Sequence, residues 1–191
     1  MREWRVGLAL AATLTLVATA ACFRPRKTPT PEGLELTEAT KAASGLATFH
    51  HPKQLAPKQL DDDVLALRPS VIGTFDMDDQ IILVTNKLTS TGILDEYVRT
   101  LHRTLENEMK GWTETSRQAQ ACLGLFPGIE LRATFVGEDG APRRYWSCTF
   151  LRAPHGYKIS YVVRETAAKV DEPLLRKVAL ATEITPLVRD P

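Results

Sequence analysis

The chain is almost without net charge: 24 Lys and Arg stand against 23 Asp and Glu in 191 residues. Nucleic-acid binding rests on a strong basic excess, so that class is set aside. Cysteine is scarce, with three in all, and aromatics make up only 7%. There are no internal repeats and no low-complexity tracts. No Gly-x-Ser-x-Gly elbow, phosphate loop, His-Glu-x-x-His or Cys-x-x-Cys occurs, which removes the common signatures of hydrolases, nucleotide enzymes, zinc proteases and dithiol redox proteins. A membrane-spanning helix needs about 20 apolar residues. The apolar stretch at residues 6–21 carries no charge and falls short of that length.

That stretch is informative in another way. Arg2 and Arg5 precede it, Leu, Ala and Val fill it, and Ala18-Thr19-Ala20-Ala21 close it just before Cys22. A basic start, a short apolar middle and a small-residue exit describe a secretory signal peptide over residues 1–21. Thr19-Ala20-Ala21-Cys22 resembles the bacterial lipobox, with Thr where that motif favours Leu. The resemblance implies cleavage before Cys22 and its acylation by diacylglycerol and an amide-linked chain such as palmitate. Two acyl chains already suffice for stable anchoring. Ala18-Thr19-Ala20 also offers an Ala-x-Ala site for ordinary signal peptidase, and an uncleaved anchor is a third reading. Phe23, in place of Asp, leans towards the outer membrane in enteric-type sorting.

Loss of residues 1–21 takes away Arg2, Arg5 and Glu3, leaving 22 charges of each sign. Acylation of Cys22 would leave Cys122 and Cys148 as an even pair in an oxidising compartment, where a disulfide is expected. Two buried free thiols are the alternative. A reactive thiol needs an adjacent base, and no local pattern supplies one.

Residues 22–45 read as a tether. Pro25, Pro29 and Pro31 stiffen and extend it. Arg24, Arg26 and Lys27 lie beside the lipid, where each charge near an anionic surface is worth about 1 kcal/mol; a solvated spacer is the plainer reading. Leu34 to Ala43 would make a helical turn or two. One folded domain is expected over residues 46–191. It opens with a short strand at 46–50 and an apolar piece at 64–67. A hairpin is expected from residues 71–75 and 80–86 around the acidic turn Asp76-Met77-Asp78-Asp79.

Ile93, Leu94, Tyr97, Val98, Leu101, Leu105 and Met109 then recur every three or four residues. This is the single stripe of an amphipathic helix over 92–110, with Thr91 as cap and Lys110-Gly111 as stop. Three strands follow, each alternating apolar with polar residues: Ile129 to Phe135, Tyr145 to Phe150 and Tyr157 to Val163. Asp139-Gly140 and Ala153-Pro154-His155-Gly156 supply the turns of this antiparallel meander. A closing helix is expected from Asp171-Glu172-Pro173 to Pro186.

Candidate ligating and catalytic side chains each carry a plainer explanation. His50 and His51 are neighbours in a strand and point to opposite faces, so one metal cannot use both. His102 lies among Arg99 and Arg103 and is expected to be solvated, and His155 sits in a turn. Asp61-Asp62-Asp63 and Asp76, Asp78 and Asp79 would have to converge to bind calcium, and the EF-hand spacing fails. Ser147 and Cys148 lie mid-strand without a base. Arg143 and Arg144 read as surface charges, and Trp146, Phe150, Tyr157 and Tyr161 as core. No catalytic residue, metal or cofactor is expected.

The order of hairpin, helix ending at Trp112, Leu-x-x-Pro-Gly before the strand at Ile129, Tyr157-x-Ile-x-Tyr161 and closing helix resembles the PsbP-like family. Its bacterial relatives include DcrB-type and other small exported lipoproteins. The resemblance covers residues 91–185 best and implies an α+β fold: a twisted antiparallel sheet with amphipathic helices on its faces, an α/β/α sandwich. It carries no functional residue. The expectation is an envelope lipoprotein acting as a non-enzymatic accessory module through a protein partner. A binder of a small apolar ligand or lipid, lodged between sheet and helix, and a hydrolase with a site built from distant residues are the alternatives.

Overall fold

The computed structural model describes residues 33–70, 75–76, 79–87 and 93–185. The expected signal peptide, Cys22, Thr91 and Pro186 lie outside the described residues, as do Val71 to Thr74, Met77 and Asp78. The fold is α+β, as expected. Among the described residues ten strands and two helices follow in order: β1 (Glu38–Lys41), β2 (Ala47–His51), β3 (Leu55–Asp61), β4 (Val64–Pro69), β5 (Gln80–Lys87), α1 (Leu94–Glu108), β6 (Thr113–Cys122), β7 (Phe126–Val136), β8 (Pro142–Arg152), β9 (His155–Arg164), α2 (Ala168–Leu180) and β10 (Glu183–Ile184). Seven strands form one antiparallel sheet in the order β3-β4-β5-β9-β8-β7-β6, and β1-β2-β10 form a small second sheet.

The meander β7-β8-β9 follows from side-chain alternation. Directly paired residues share a face, so Trp146 with Tyr161, Cys148 with Ile159 and Phe150 with Tyr157 line one side. That side is packed by Leu174, Leu175, Val178 and Ala179 of α2 and by Ala47 and Phe49 of β2, all fully buried. Its aromatic rings stack: Phe126 on Phe150 at 4.8 Å, Phe150 on Tyr157 at 5.1 Å and Trp146 on Tyr161 at 5.0 Å. The expectation that these rings are core is met. The other side is thinner. Tyr145, Ser147 and Thr149 pair with Val162, Ser160 and Lys158 and face α1, where Val98 is the one buried residue of the helix.

Cys122 and Cys148 form a disulfide, with Cα atoms 5.7 Å apart, that ties edge strand β6 to the sheet centre. Gly128 sits beneath it: a Cβ there would meet Cys122 Sγ at 2.5 Å and the Thr149 carbonyl at 2.6 Å.

Several expectations need correction. The expected tether runs to residue 45, yet Leu34 and Ala42 are buried in the core and Glu38–Lys41 pair with β2. That segment is a strand, not a helical turn, because β2 offers it an open edge. β5 pairs with β4 on one side and β9 on the other, the strand expected at residues 71–75 lies mostly outside the described residues, and the hairpin mate of β4 is β3, whose turn is Asp62-Asp63. β3 and β6 escape the alternation test because they are sheet edges, exposed along most of their length. Pro57 and Lys58 in β3 are edge-strand residues. Helix α1 is preceded by Ile93, which is exposed and gives no side-chain cap. Helix α2 starts a turn earlier than Asp171-Glu172-Pro173, placing Pro173 inside it and a buried Asp171 in its first turn.

Tyr97 docks α1. Its ring lies over Gly156 and its hydroxyl donates to Asn86 Oδ1 at 2.8 Å. A Cβ on Gly156 would fall 2.6 Å from that ring. Gly156→Ala is therefore expected to push Tyr97 away and cost about 1–3 kcal/mol, the usual range for overpacking, read as a lowered thermal midpoint. Replacing both Cys122 and Cys148 with Ser is expected to cost roughly 3 kcal/mol through the freed loop, read in a denaturant titration.

Candidate functional site

Two places in the described residues are candidates to receive another molecule. The first is the space between α1 and the sheet, walled by Val98, Leu101, Leu105, Ile129 and Leu131. It holds a volume of about 10 Å³, room for one water at most. A lipid chain does not fit there. Lys158 reaches this space opposite Thr149. Burial pulls the pKa of its ammonium below the usual range, and Glu108 pulls it back. Burial pushes the Tyr145 phenol up to about 12, so it is a neutral hydroxyl at physiological pH.

The second is an open cleft of about 740 Å³ at the end of the sheet where the β7-β8 hairpin meets the start of β5. Met109, Phe135 and Val162 give it apolar walls, and Arg68, Asp79, Glu138, Asp139 and Arg143 supply charge. The sequence builds it locally. Asp139-Gly140 turns the hairpin, with Gly140 at φ +79° as such a turn demands. Asp139 then caps its own turn by accepting from the Ala141 N–H at 3.1 Å. That bond, together with the Arg143 and Arg164 guanidinium groups, holds its carboxyl below the usual carboxylate range. Arg143 meets Asp139 at 3.1 Å and Arg164 meets it at 2.8 Å. Gly137 allows this crowding, since a Cβ there would lie 2.7 Å from Arg143 Nε.

Beneath the cleft lies a pair of carboxyl groups from distant parts of the chain. Asp79, just before β5, is 1% exposed, and Asp171, in the first turn of α2, is 0% exposed. The Arg164 N–H donates to Asp79 Oδ1 at 3.4 Å, and the Asp76 N–H donates to Asp171 Oδ2 at 3.2 Å. The buried Asp79 Oδ2 accepts no hydrogen bond, and Asp171 favours the protonated form of Asp79. Burial is the main cause that pushes Asp79 up to about 8, followed by the neighbouring Asp171 carboxyl, with the Arg164 N–H opposing.

The other expected residues scatter. His50 approaches Glu183 at 3.1 Å, whereas His51 is buried and bonded to Thr40 and the Pro52 carbonyl, so the two do point apart. His102 is not solvated. It packs edge-on against Trp112, and its Nε2 lies 3.2 Å from the Trp112 N–H and 2.9 Å from Glu114. As an acceptor that nitrogen serves Trp112, and as a donor Glu114. His102 is on the sheet side because residues 98, 101, 102 and 105 form one helix face. Asp61 to Asp63 lie at the β3-β4 turn, away from Asp79. Among the described residues no group of three or more His, Cys, Asp or Glu is placed to hold a metal ion. Arg144 is a surface charge paired with Glu165 at 2.5 Å. Arg143 is not, being 8% exposed in the cleft wall. The Asp79–Asp171 pair escaped sequence reading. In the sequence Asp171 reads as an ordinary acidic helix start, and nothing there shows it turned inward.

No family model matches this chain, and no curated protein matches it. Among solved structures it is similar to the cyanobacterial PsbP (CyanoP) of Synechocystis sp. PCC 6803. That likeness has a TM-score of 0.55 at 11% identity and spans 78% of this chain and 92% of the other. It is also similar to LpqN of Mycobacterium tuberculosis, described as involved in cell envelope biogenesis. Here the TM-score is 0.57 at 11% identity, over 78% of this chain and 90% of the other. A Bacteroides thetaiotaomicron VPI-5482 protein matches with a TM-score of 0.53 at 10% identity, over 80% of this chain and 50% of the other. The fold is thus PsbP-like.

The carboxyl pair sets a pH dependence. Between its ordinary value of 3.8 and about 8, Asp79 holds a proton in the folded chain but not in the unfolded one. Stability therefore falls as pH rises through that window, and the loss is complete above about 8. The lowered carboxyls of Glu130 and Asp139 act only in acid, where their contribution disappears as pH falls. The thermal midpoint is expected to drop between pH 5 and pH 8.5, and Asp79→Asn is expected to flatten that slope.

Proposed function

We propose that the chain is an exported cell-envelope lipoprotein, anchored to a bacterial membrane through Cys22, that works as a non-enzymatic accessory module by gripping a protein partner in the cleft beside the β7-β8 hairpin. One contrast carries this reading: about 10 Å³ lies under α1, whereas about 740 Å³ stands open at the hairpin end. An apolar centre of Met109, Phe135 and Val162 within a charged rim has the anatomy of a protein interface. The filled helix–sheet contact counts against a resident lipid.

Two further observations support the setting. No described helix is long and apolar enough to cross a membrane. A structure of the same fold, LpqN, is described as involved in cell envelope biogenesis. The internal Asp139 ion pairs hold the rim rigid, which favours a partner that fits a preformed surface.

The experiment uses the full-length chain in bacterial membranes. A photo-crosslinking amino acid at Glu138, on the cleft wall, is expected to give one discrete protein adduct. The same probe at Lys58, on edge strand β3, is expected to give none. Absence of an adduct at Glu138 would remove the partner reading. Separately, Cys22→Ala is expected to move the protein from the membrane pellet to the soluble fraction.

A further inference from the structure

We propose that the outward side of α2 is a membrane-docking face that lies on the anionic lipid headgroups of the leaflet in which Cys22 is anchored. Lys169, Val170, Pro173, Arg176, Lys177 and Leu180 recur every three or four residues and share that side of the helix. The other side holds Ala168, Leu174, Leu175, Val178 and Ala179, all buried. Val170 is 46% exposed and Leu180 44%, among the few large apolar side chains of the described residues that reach solvent so far. Leu36, Pro173, Arg176, Lys177, Leu180 and Ala181 line an open groove of about 560 Å³ along this side.

Two observations name the occupant. The first is where the chain leads. The Lys177 ammonium donates to the Leu34 carbonyl at 2.7 Å, and the Leu34 side chain is buried in the core, so the segment towards Cys22 leaves the domain beside α2. From Cys22 to Gly33 the chain reaches at most about 40 Å. Anchoring therefore holds the bilayer close to this helix, and a face too weak to bind a membrane from solution docks once tethered. The second is charge. Among the described residues, Lys169, Arg176 and Lys177 stand on the outward side of α2 and no carboxylate does. Lys169 is exposed, whereas Arg176 is held by Glu130 at 3.1 Å. Glu172 flanks this side and is held by Tyr161 and Arg144. The tether adds Arg24, Arg26 and Lys27 against Glu32, and Glu35 and Glu38 flank Leu36 in the chain without lining the groove. Exposed apolar groups set among cations on one side of a helix suit the boundary between headgroups and acyl chains. The docking rests on the Cys22 anchor proposed above.

The test reconstitutes the full-length protein, purified from bacterial membranes, into phosphatidylcholine vesicles with or without phosphatidylglycerol. A nitroxide is attached at Val170→Cys or Leu180→Cys, and at Gln118→Cys on edge strand β6 as the control. With phosphatidylglycerol present, the labels at 170 and 180 are expected to become accessible to oxygen and shielded from a water-soluble nickel chelate, while the label at 118 stays open to the chelate. In phosphatidylcholine alone all three are expected to stay open to it. Lys169→Ala is expected to lower the ratio of docked to undocked protein roughly fivefold. Labels at 170 and 180 that stay open to the chelate in both vesicles, on protein that floats with both, would overturn the docking and leave the anchor standing. Protein that floats with neither vesicle removes both. Protein that floats only when phosphatidylglycerol is present, with both labels shielded, supports the docking and removes the anchor. Shielding seen only in native membranes would mark a protein on this face and overturn the lipid reading.

Discussion

The structure depends on the pairing of β8 with β9. These two strands put Trp146 against Tyr161 and Phe150 against Tyr157, all within 1% of complete burial. Stacked pairs at this spacing add about 0.5–1.5 kcal/mol each beyond the area they bury. Helix α2 and strand β2 exist where they do because this aromatic face must be covered. The disulfide fixes β6 to the same layer through Cys148, and Glu130 on β7 holds α2 through Arg176 at 3.1 Å. Register is pinned as well, since a slip of one residue would turn the rings towards α1.

The opposite face explains what the molecule can do. Ser147, Thr149, Ser160 and Lys158 make it half polar, and α1 covers it with one buried side chain and a ring resting on Gly156. A polar sheet face under a thin helix leaves no greasy hollow. Apolar surface instead gathers at the end of α1, where Leu105, Met109 and Trp112 meet Leu131, Ala133, Phe135, Tyr145 and Val162. The cleft opens beside that cluster, and the buried carboxyl pair lies at its wall. Cleft and titrating group are thus neighbours, because Asp79 stands immediately before β5 at the cleft wall.

Much of this was legible in the sequence, and what was not has physical causes. The meander was readable because Ile129 to Val163 alternate in a sheet with unlike faces. The stripe from Leu94 to Met109 gave α1 because one side of that helix meets apolar groups. β3 and β6 were unreadable because edge strands bury little, and Thr113–Cys122 shows no period. The strand at Glu38–Lys41 was hidden by the prolines before it and by its own exposed side chains. The disulfide followed from compartment and count. The cleft did not, since it is assembled from five strands, a helix end and a turn. The Asp79–Asp171 pair was least visible of all, because a buried carboxyl and a solvated one look identical in a sequence.

The central claim is that both faces of the sheet are filled, so the protein works from its surface. Native mass spectrometry of the mature protein, extracted gently from its own membranes, tests this most directly. The account predicts a mass equal to the polypeptide from Cys22 with its covalent acyl groups and one disulfide, and nothing more. A stoichiometric lipid retained without a covalent bond, lost only on unfolding, would contradict it.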